Sequence, residues 1–265
     1  MKVYISADIE GVTGVTHWDE TERSKPDYGL AQEQMTAEVA AACEGAKEAG
    51  ATEIWVKDAH DTGRNLIPGK LPPEVKLVRG WSGHPFSMVQ ELDETFAALV
   101  MIGYHARAGS AASPLAHTMS GGVAYIRIND LYASEFLLHG YAAALRGVAV
   151  AFVSGDAGLC EEVRGVNPRI PTLAVKWGVG QSTVSIHPKR AVQEIQDGVR
   201  RALEGALDQC RLPLPPRFVV EIGYKDHTKA YRAGFYPGAR LQGSHRVEFE
   251  TDDYLEVLRF LLFVV

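Results

Sequence analysis

Acids and histidines recur directly after short apolar runs in this sequence, and these residue types in these places could hold metal ions. Four segments carry them: Ser6-Ala7-Asp8-Ile9-Glu10-Gly11, Lys57-Asp58-Ala59-His60, Gly103-Tyr104-His105-Ala106-Arg107 and Ser154-Gly155-Asp156. Asp8 and Glu10 are two apart, as are Asp58 and His60. Each pair projects from one face if the extended conformation persists. Neighbouring strands lie about 4.8 Å apart, so side chains from adjacent strand ends can reach a shared ion or ion pair. Mixed Asp, Glu and His ligands favour zinc and also suit manganese or cobalt, whereas calcium and magnesium prefer all-oxygen shells. Two ions about 3.5–4 Å apart usually need a bridging carboxylate, and several acids are at hand. Ions so held could activate a water, polarise a carbonyl and stabilise a tetrahedral oxyanion, which is hydrolytic chemistry.

Taken singly, each residue also fits a structural role, because an Asp or His after a strand often caps a helix or satisfies a loop. The concurrence favours ligation: His60 and His105 end two further strands in the layer that carries Asp8 and Glu10. Glu135 and His139 are four apart at the start of a helical pattern and so share a face. Glu135 follows Ser134 near the helix N-terminus, where a carboxylate is favoured in any case, and it is the stronger ligand candidate. His139, beside Leu137 and Leu138, reads as core or as a support to the ligands. His117 lies in a loop of small residues, Ser113 to Gly122, and its imidazole could accept a proton near neutral pH and pass it to a leaving amine. A surface histidine would look the same. His17, His84, His187, His227 and His245 have no comparable partners nearby. No GxGxxG follows the first strand, and neither GxxxxGK[ST] nor GxSxG occurs, which weakens nucleotide-binding and serine-hydrolase readings.

The elements that must position these residues alternate. Val- and Ile-rich runs at 2–7, 53–57, 98–103, 148–153 and 218–222 are interleaved with helical patterns at 31–49, 134–145 and from Pro188 to about Gln209. This predicts an α/β fold: a largely parallel sheet flanked by helices, with ligands gathered beyond the carboxyl ends of the strands. After the Pro-rich stretch 212–216, strand-like segments at 217–223 and 245–250 and a last helix from about Asp252 suggest a smaller C-terminal α+β part. The boundary is placed at about 165, giving a metal-binding part over 1–165 and the smaller part over 166–265.

At 265 residues the chain can bury a sizeable core, and 46% hydrophobic with 23% charged residues is ordinary for a soluble protein. A net charge of -6 without a basic run argues against nucleic acid as partner. Cys43, Cys160 and Cys210 are odd in number and far apart, which points to a reducing compartment. Asp8 and Glu10 interrupt anything that could act as a signal peptide, so a cytoplasmic location is expected. The apolar end Phe260 to Val265 is far short of the roughly 20 residues of a membrane span, and no membrane role is expected. It reads as the end of a core helix or as a subunit contact.

The segments Ser6 to Gly14, Val56 to His60, Pro85 to Val89, Gly103 to Ala108, and Asn129-Asp130 leading to Glu135 together resemble the zinc-dependent M55 peptidases, a family of D-aminopeptidases. The likeness extends through Ala174-Val175-Lys176. It implies that Asp8, Glu10, His60, His105 and Glu135 bind two Zn²⁺ ions, with Asp8 the bridge, and that His117 is the catalytic histidine. It further implies release of an N-terminal D-amino acid, typically D-alanine, from short peptides, by a ring-shaped homodecamer. Ligand spacing does not distinguish a D- from an L-residue, so that preference rests on the resemblance. Two other readings stand beside it: a metal-dependent amidohydrolase or phosphoesterase using the same ions, and a non-catalytic peptide-binding protein. Retention of so many costly acids speaks against the second.

Overall fold

The computed structural model describes residues 1–265. In chain order the elements are β1 (Lys2–Ala7), α1 (Tyr28–Glu48), β2 (Glu53–Asp58), β3 (Lys76–Val78), β4 (Ala98–Tyr104), β5 (Val123–Ile128) and β6 (Leu131–Tyr132). They continue with α2 (Glu135–Leu145), β7 (Ala149–Asp156), α3 (Ala157–Val166), β8 (Thr172–Val179), β9 (Ser182–Ser185) and α4 (Pro188–Leu203). Last come β10 (Phe218–Tyr224), α5 (His227–Ala233), β11 (Arg240–Gln242), β12 (Arg246–Thr251) and α6 (Tyr254–Val264).

A seven-stranded sheet runs in the order β3-β2-β1-β4-β7-β8-β9. Its strands are parallel except β9, which returns antiparallel beside β8. The strands need apolar side chains on both faces, and their continuous Val, Ile and Leu supply them. Alternation then sorts those residues. Val3, Ile5, Val100 and Ile102 face one way, into a core with Met35 and Val39 of α1 and Ile195 and Val199 of α4. Tyr4, Leu99 and Met101 face the other way, into a core with Phe136 and Leu137 of α2, Val220 and Ile222 of β10, Phe249 of β12 and Phe260 of α6.

The expected α/β architecture is therefore present. A second, five-stranded antiparallel sheet, β11-β12-β10-β5-β6, lies over the α2 side. The sheets divide the chain differently from a cut near 165: β8 and β9 complete the parallel sheet, whereas β5 and β6 join the antiparallel one. The physical reason is that one core of 42 buried residues is shared by β1, β4 and β7 with β10, β12 and α6. The helix expected to reach Gln209 stops at Leu203; Gly205 follows, and a 3-10 turn covers Leu207–Cys210. The C-terminal run does end a core helix, with Phe260 and Leu261 buried while Leu262 and Phe263 are exposed. No helix is long and apolar enough to cross a membrane.

Candidate active site

The strand order reverses direction at β1, with β2 on one side and β4 on the other, and the candidate residues collect at the carboxyl ends of these strands. The ends are level: Ala7 pairs with Asp58 of β2 and Ile102 of β4, and the bonds Asp8 N to Ile102 O and Ala59 N to Ala7 O are 2.9 and 2.8 Å. Beyond Ala7 the chain turns instead of staying extended, yet Asp8 and Glu10 reach the same cluster. The turn needs glycine. Gly11 N donates to Gly103 O at 2.8 Å, and a Cβ on Gly11 would stand 1.7 Å from Tyr104 O. Gly103 has φ +71°, and a Cβ there would lie 2.3 Å from Asp8 O.

Asp8 stands between two half-clusters. Its Oδ1 is 3.2 Å from His60 Nδ1, which is also 3.0 Å from Glu10 Oε2. Its Oδ2 is 3.4 Å from His105 Nε2, which is also 3.3 Å from Glu135 Oε2. The far ring nitrogens fix the tautomers. His60 Nε2 meets the Thr21 carbonyl at 3.0 Å and His105 Nδ1 meets the Ala106 carbonyl at 3.0 Å. A carbonyl only accepts, so those nitrogens carry the protons, and the nitrogen that faces the acids presents a lone pair whenever the ring is neutral, as a metal ligand must be. His117 follows the same rule, with Nδ1 on Leu115 O at 2.9 Å and Nε2 at 3.7 Å from Glu135 Oε1. Its ring stacks on His105 at 4.3 Å and 12°. Glu135 opens α2, capped by Ser134, and accepts the Met119 amide at 2.7 Å.

Two acids named from the sequence lie outside this cluster. Asp58 accepts from the Asn65 side chain and the Leu66 amide, holding the loop after β2. Asp156 caps α3 through Leu159 N at 2.9 Å and takes Ala106 N at 2.8 Å, which steadies the His105 segment. His139 is fully buried, bonded to Glu135 O at 2.7 Å, and burial pushes its pKa down. His17 and His187 cap helix starts.

Three carboxylates in a buried space need compensation. Burial and the neighbouring Glu10 push Asp8 up to about 6. Burial would raise Glu135 as well, but the charges of His105 and His117 hold it at about 2. Burial works against protonated His60 and His105, yet Glu10 and Asp8 on one, and Glu135 and Asp8 on the other, hold both well above the usual histidine range. The centre therefore attracts cations strongly. With the His60 and His105 rings neutral, Glu10 Oε2 and His105 Nε2 are buried without a hydrogen-bond partner, which costs about 1–3 kcal/mol each unless something else binds there. Asp8, Glu10 and His105 form one set of donor atoms within 4.8 Å of one another, and His105, His117 and Glu135 another. The donor set fits a borderline divalent ion such as zinc.

The cluster opens into a cavity of about 420 Å³, whose wall includes Trp18, Thr21, Asp61, Trp81, Met88 and Met119. None of these was named as a site residue from the sequence, although Met88 falls in the segment Pro85 to Val89 that carries the resemblance; all sit on loops or single 3-10 turns outside the strands and α-helices. Trp81 is tied by Nε1 to Asp61 O at 2.7 Å, and Trp18 meets His117 edge-on at 5.3 Å. A buried lysine was also missed as a site residue: Lys176 on β8 donates to Glu10 O and Val15 O beneath the first ligand loop.

Known proteins resemble the chain over nearly its whole length. A D-aminopeptidase of Bacillus subtilis (strain 168) is 33% identical over 264 residues, covering 99% of this chain and 96% of that protein. The solved structure of the Zn-dependent D-aminopeptidase DppA from Bacillus subtilis, described as a self-compartmentalizing protease, superposes with a TM-score of 0.92 at 31% identity, covering 100% of this chain and 96% of that one. The M55 peptidase family, described as D-aminopeptidase, matches residues 1–263, and the chain belongs to that family.

Proposed function

We propose that this D-aminopeptidase holds two zinc ions, one on either side of Asp8, and uses His117 to move protons between water and the leaving amine. The observation that carries the reading is the division of Asp8: Oδ1 faces His60 and Glu10, Oδ2 faces His105 and Glu135. Asp8, Glu10 and His60 would hold one ion, and Asp8, His105 and Glu135 the other. Bound zinc supplies Lewis acidity and brings a coordinated water toward a pKa of about 7.

The chain's own residues do the rest. Thr21 O and Ala106 O orient the two ligand imidazoles. Leu115 O holds His117 so that Nε2 keeps its lone pair on the side of Glu135 and the cavity, where it can accept a proton and return it to the departing amine. His117 could instead attack the carbonyl and form an acyl intermediate. A covalent adduct trapped on His117 with a slow substrate would favour that route, and its absence under slow turnover would favour proton transfer. The cavity of about 420 Å³ suits a short peptide, and its walls Trp18, Trp81 and Met119, unlike the metal ligands, can discriminate side-chain configuration.

The substrates in this reading are short peptides with a free N-terminal D-amino acid, typically D-alanine. Assay against D-Ala-D-Ala, L-Ala-L-Ala and an N-blocked D-peptide tests it, with cleavage of the first alone expected. Faster cleavage of the L-peptide would overturn the stereochemical assignment, and cleavage of the blocked one would favour a general amidohydrolase. Family membership does not favour a phosphoesterase or a non-catalytic binder. The reading extends to a ring-shaped homodecamer in the cytoplasm. Exposed Tyr231, Phe235 and Phe263 supply apolar area of the kind that subunit contacts bury.

A further inference from the structure

The loop carrying Glu10 belongs to no helix or strand, so something must hold its backbone while the side chain faces the cluster. Its first part is tied to β4 through Gly11 N and Gly103 O. Its later part crosses to the far side of the parallel sheet. Gly14 N donates to Ser185 Oγ of β9 at 3.2 Å, Thr16 and Thr183 share a hydroxyl hydrogen bond, and Thr13 N donates to Glu38 Oε1 of α1 at 3.1 Å. Between these ties sits the Lys176 ammonium, fully buried, donating to the carbonyls of Glu10 and Val15 at once.

Lys176 bonds directly to two carbonyls, while the charges of Asp156, Glu10, Glu38 and Glu20 act on it from farther off, an unusual setting for a buried lysine. A buried charge needs a compensating environment, and here two backbone carbonyls in contact and those more distant carboxylates supply it. The Glu10 carbonyl and its side chain leave one Cα in different directions, so fixing the carbonyl limits where the carboxylate can point. We propose that Lys176 is a positioning residue for Glu10: it holds the residue's carbonyl from β8 and so sets the carboxylate for the ion shared with His60 and Asp8. The inference rests on the two-zinc reading and adds a residue that touches neither ion nor substrate.

Groups that orient metal ligands typically contribute about 10–100-fold to metal affinity. The test is zinc titration of the full chain by calorimetry, for the wild type, Lys176→Met, Glu10→Gln and the double variant, with circular dichroism to verify folding. The expected result is one zinc weakened at least about 10-fold in Lys176→Met and the other retained, with little further loss of that same ion when Glu10→Gln is added. Non-additivity of this kind is not expected of a lysine that only stabilises the fold. If Lys176→Met does not fold, Lys176→Gln serves, since its shorter, uncharged side chain keeps amide donors for the carbonyls; the same ion should weaken, by less. Unchanged affinities, equal weakening of both ions, or tighter binding on removal of the positive charge would overturn the inference. Fewer than two ions in the wild type would instead overturn the two-zinc reading, so the two failures are distinguishable.

Discussion

At the scale of the residue, the candidate ligands differ in what their loss would do. His60 contacts only the Glu10 side of Asp8, so His60→Ala is expected to lower zinc content from two to about one per chain, with activity falling in parallel. Elemental analysis of the purified variant checks this. His117 faces Glu135 and the cavity but stays outside the Asp8 division. His117→Ala should therefore keep both ions while kcat drops by roughly 10²–10⁴-fold. Its place with His105 and Glu135 within ligand range makes metal analysis of this variant decisive, since loss of an ion would make His117 a ligand instead. Most of the proposed set was legible in the sequence, because acids and histidines stand where strands must end. Asp58 and Asp156 looked equally suitable there. Sequence cannot separate them from His60 and His105, because an Asp that caps a loop and an Asp that binds a metal occupy the same strand-end position.

At the scale of the element, the site depends on how closely the ends of β1, β4 and β7 approach. Gly11 and Gly155 both stand against Tyr104 O, where a Cβ would lie 1.7 and 1.9 Å away. Backbone cannot yield as a side-chain tip can, so Gly11→Ala should cost about 3 kcal/mol or more, at or beyond the usual range for overpacking. It should also weaken zinc binding by displacing Asp8 and His105. Chemical denaturation of the metal-free protein measures the first effect, and wild-type stability in Gly11→Ala would contradict the packing described. The buried parallel strands announced themselves as apolar runs, and β1, β2, β4, β7 and β10 lie within a few residues of expectation. Strands β3, β8 and β9 did not. β3 is three residues long, and β8 carries Lys176 and Gly178 among its apolar residues, so neither shows the continuous pattern of a central strand. β5 places Val123, Ile126 and Ile128 inward beside the half-exposed Arg127, and its partner across the sheet, β10, lies about 90 residues away, beyond the reach of a local pattern.

At the scale of the whole molecule, the parallel sheet brings the ligands to one edge, and the antiparallel sheet closes the core behind α2. The sharing of both sheets between the two halves of the chain was not legible, because which strands pair over long separations is decided by the shared core and not by composition. Sedimentation in solution should give ten times the 28.9 kDa chain mass for the ring assembly, and a monomer would contradict that part of the proposal. Above all, three buried carboxylates and two oriented imidazoles form the cage proposed to hold two zinc ions. The direct test is zinc content per chain, followed by chelation and stepwise zinc return while hydrolysis of D-Ala-D-Ala is monitored. Two equivalents per chain, with activity lost on chelation and restored as both are returned, is the expected result. Full activity with one equivalent or none would contradict the account.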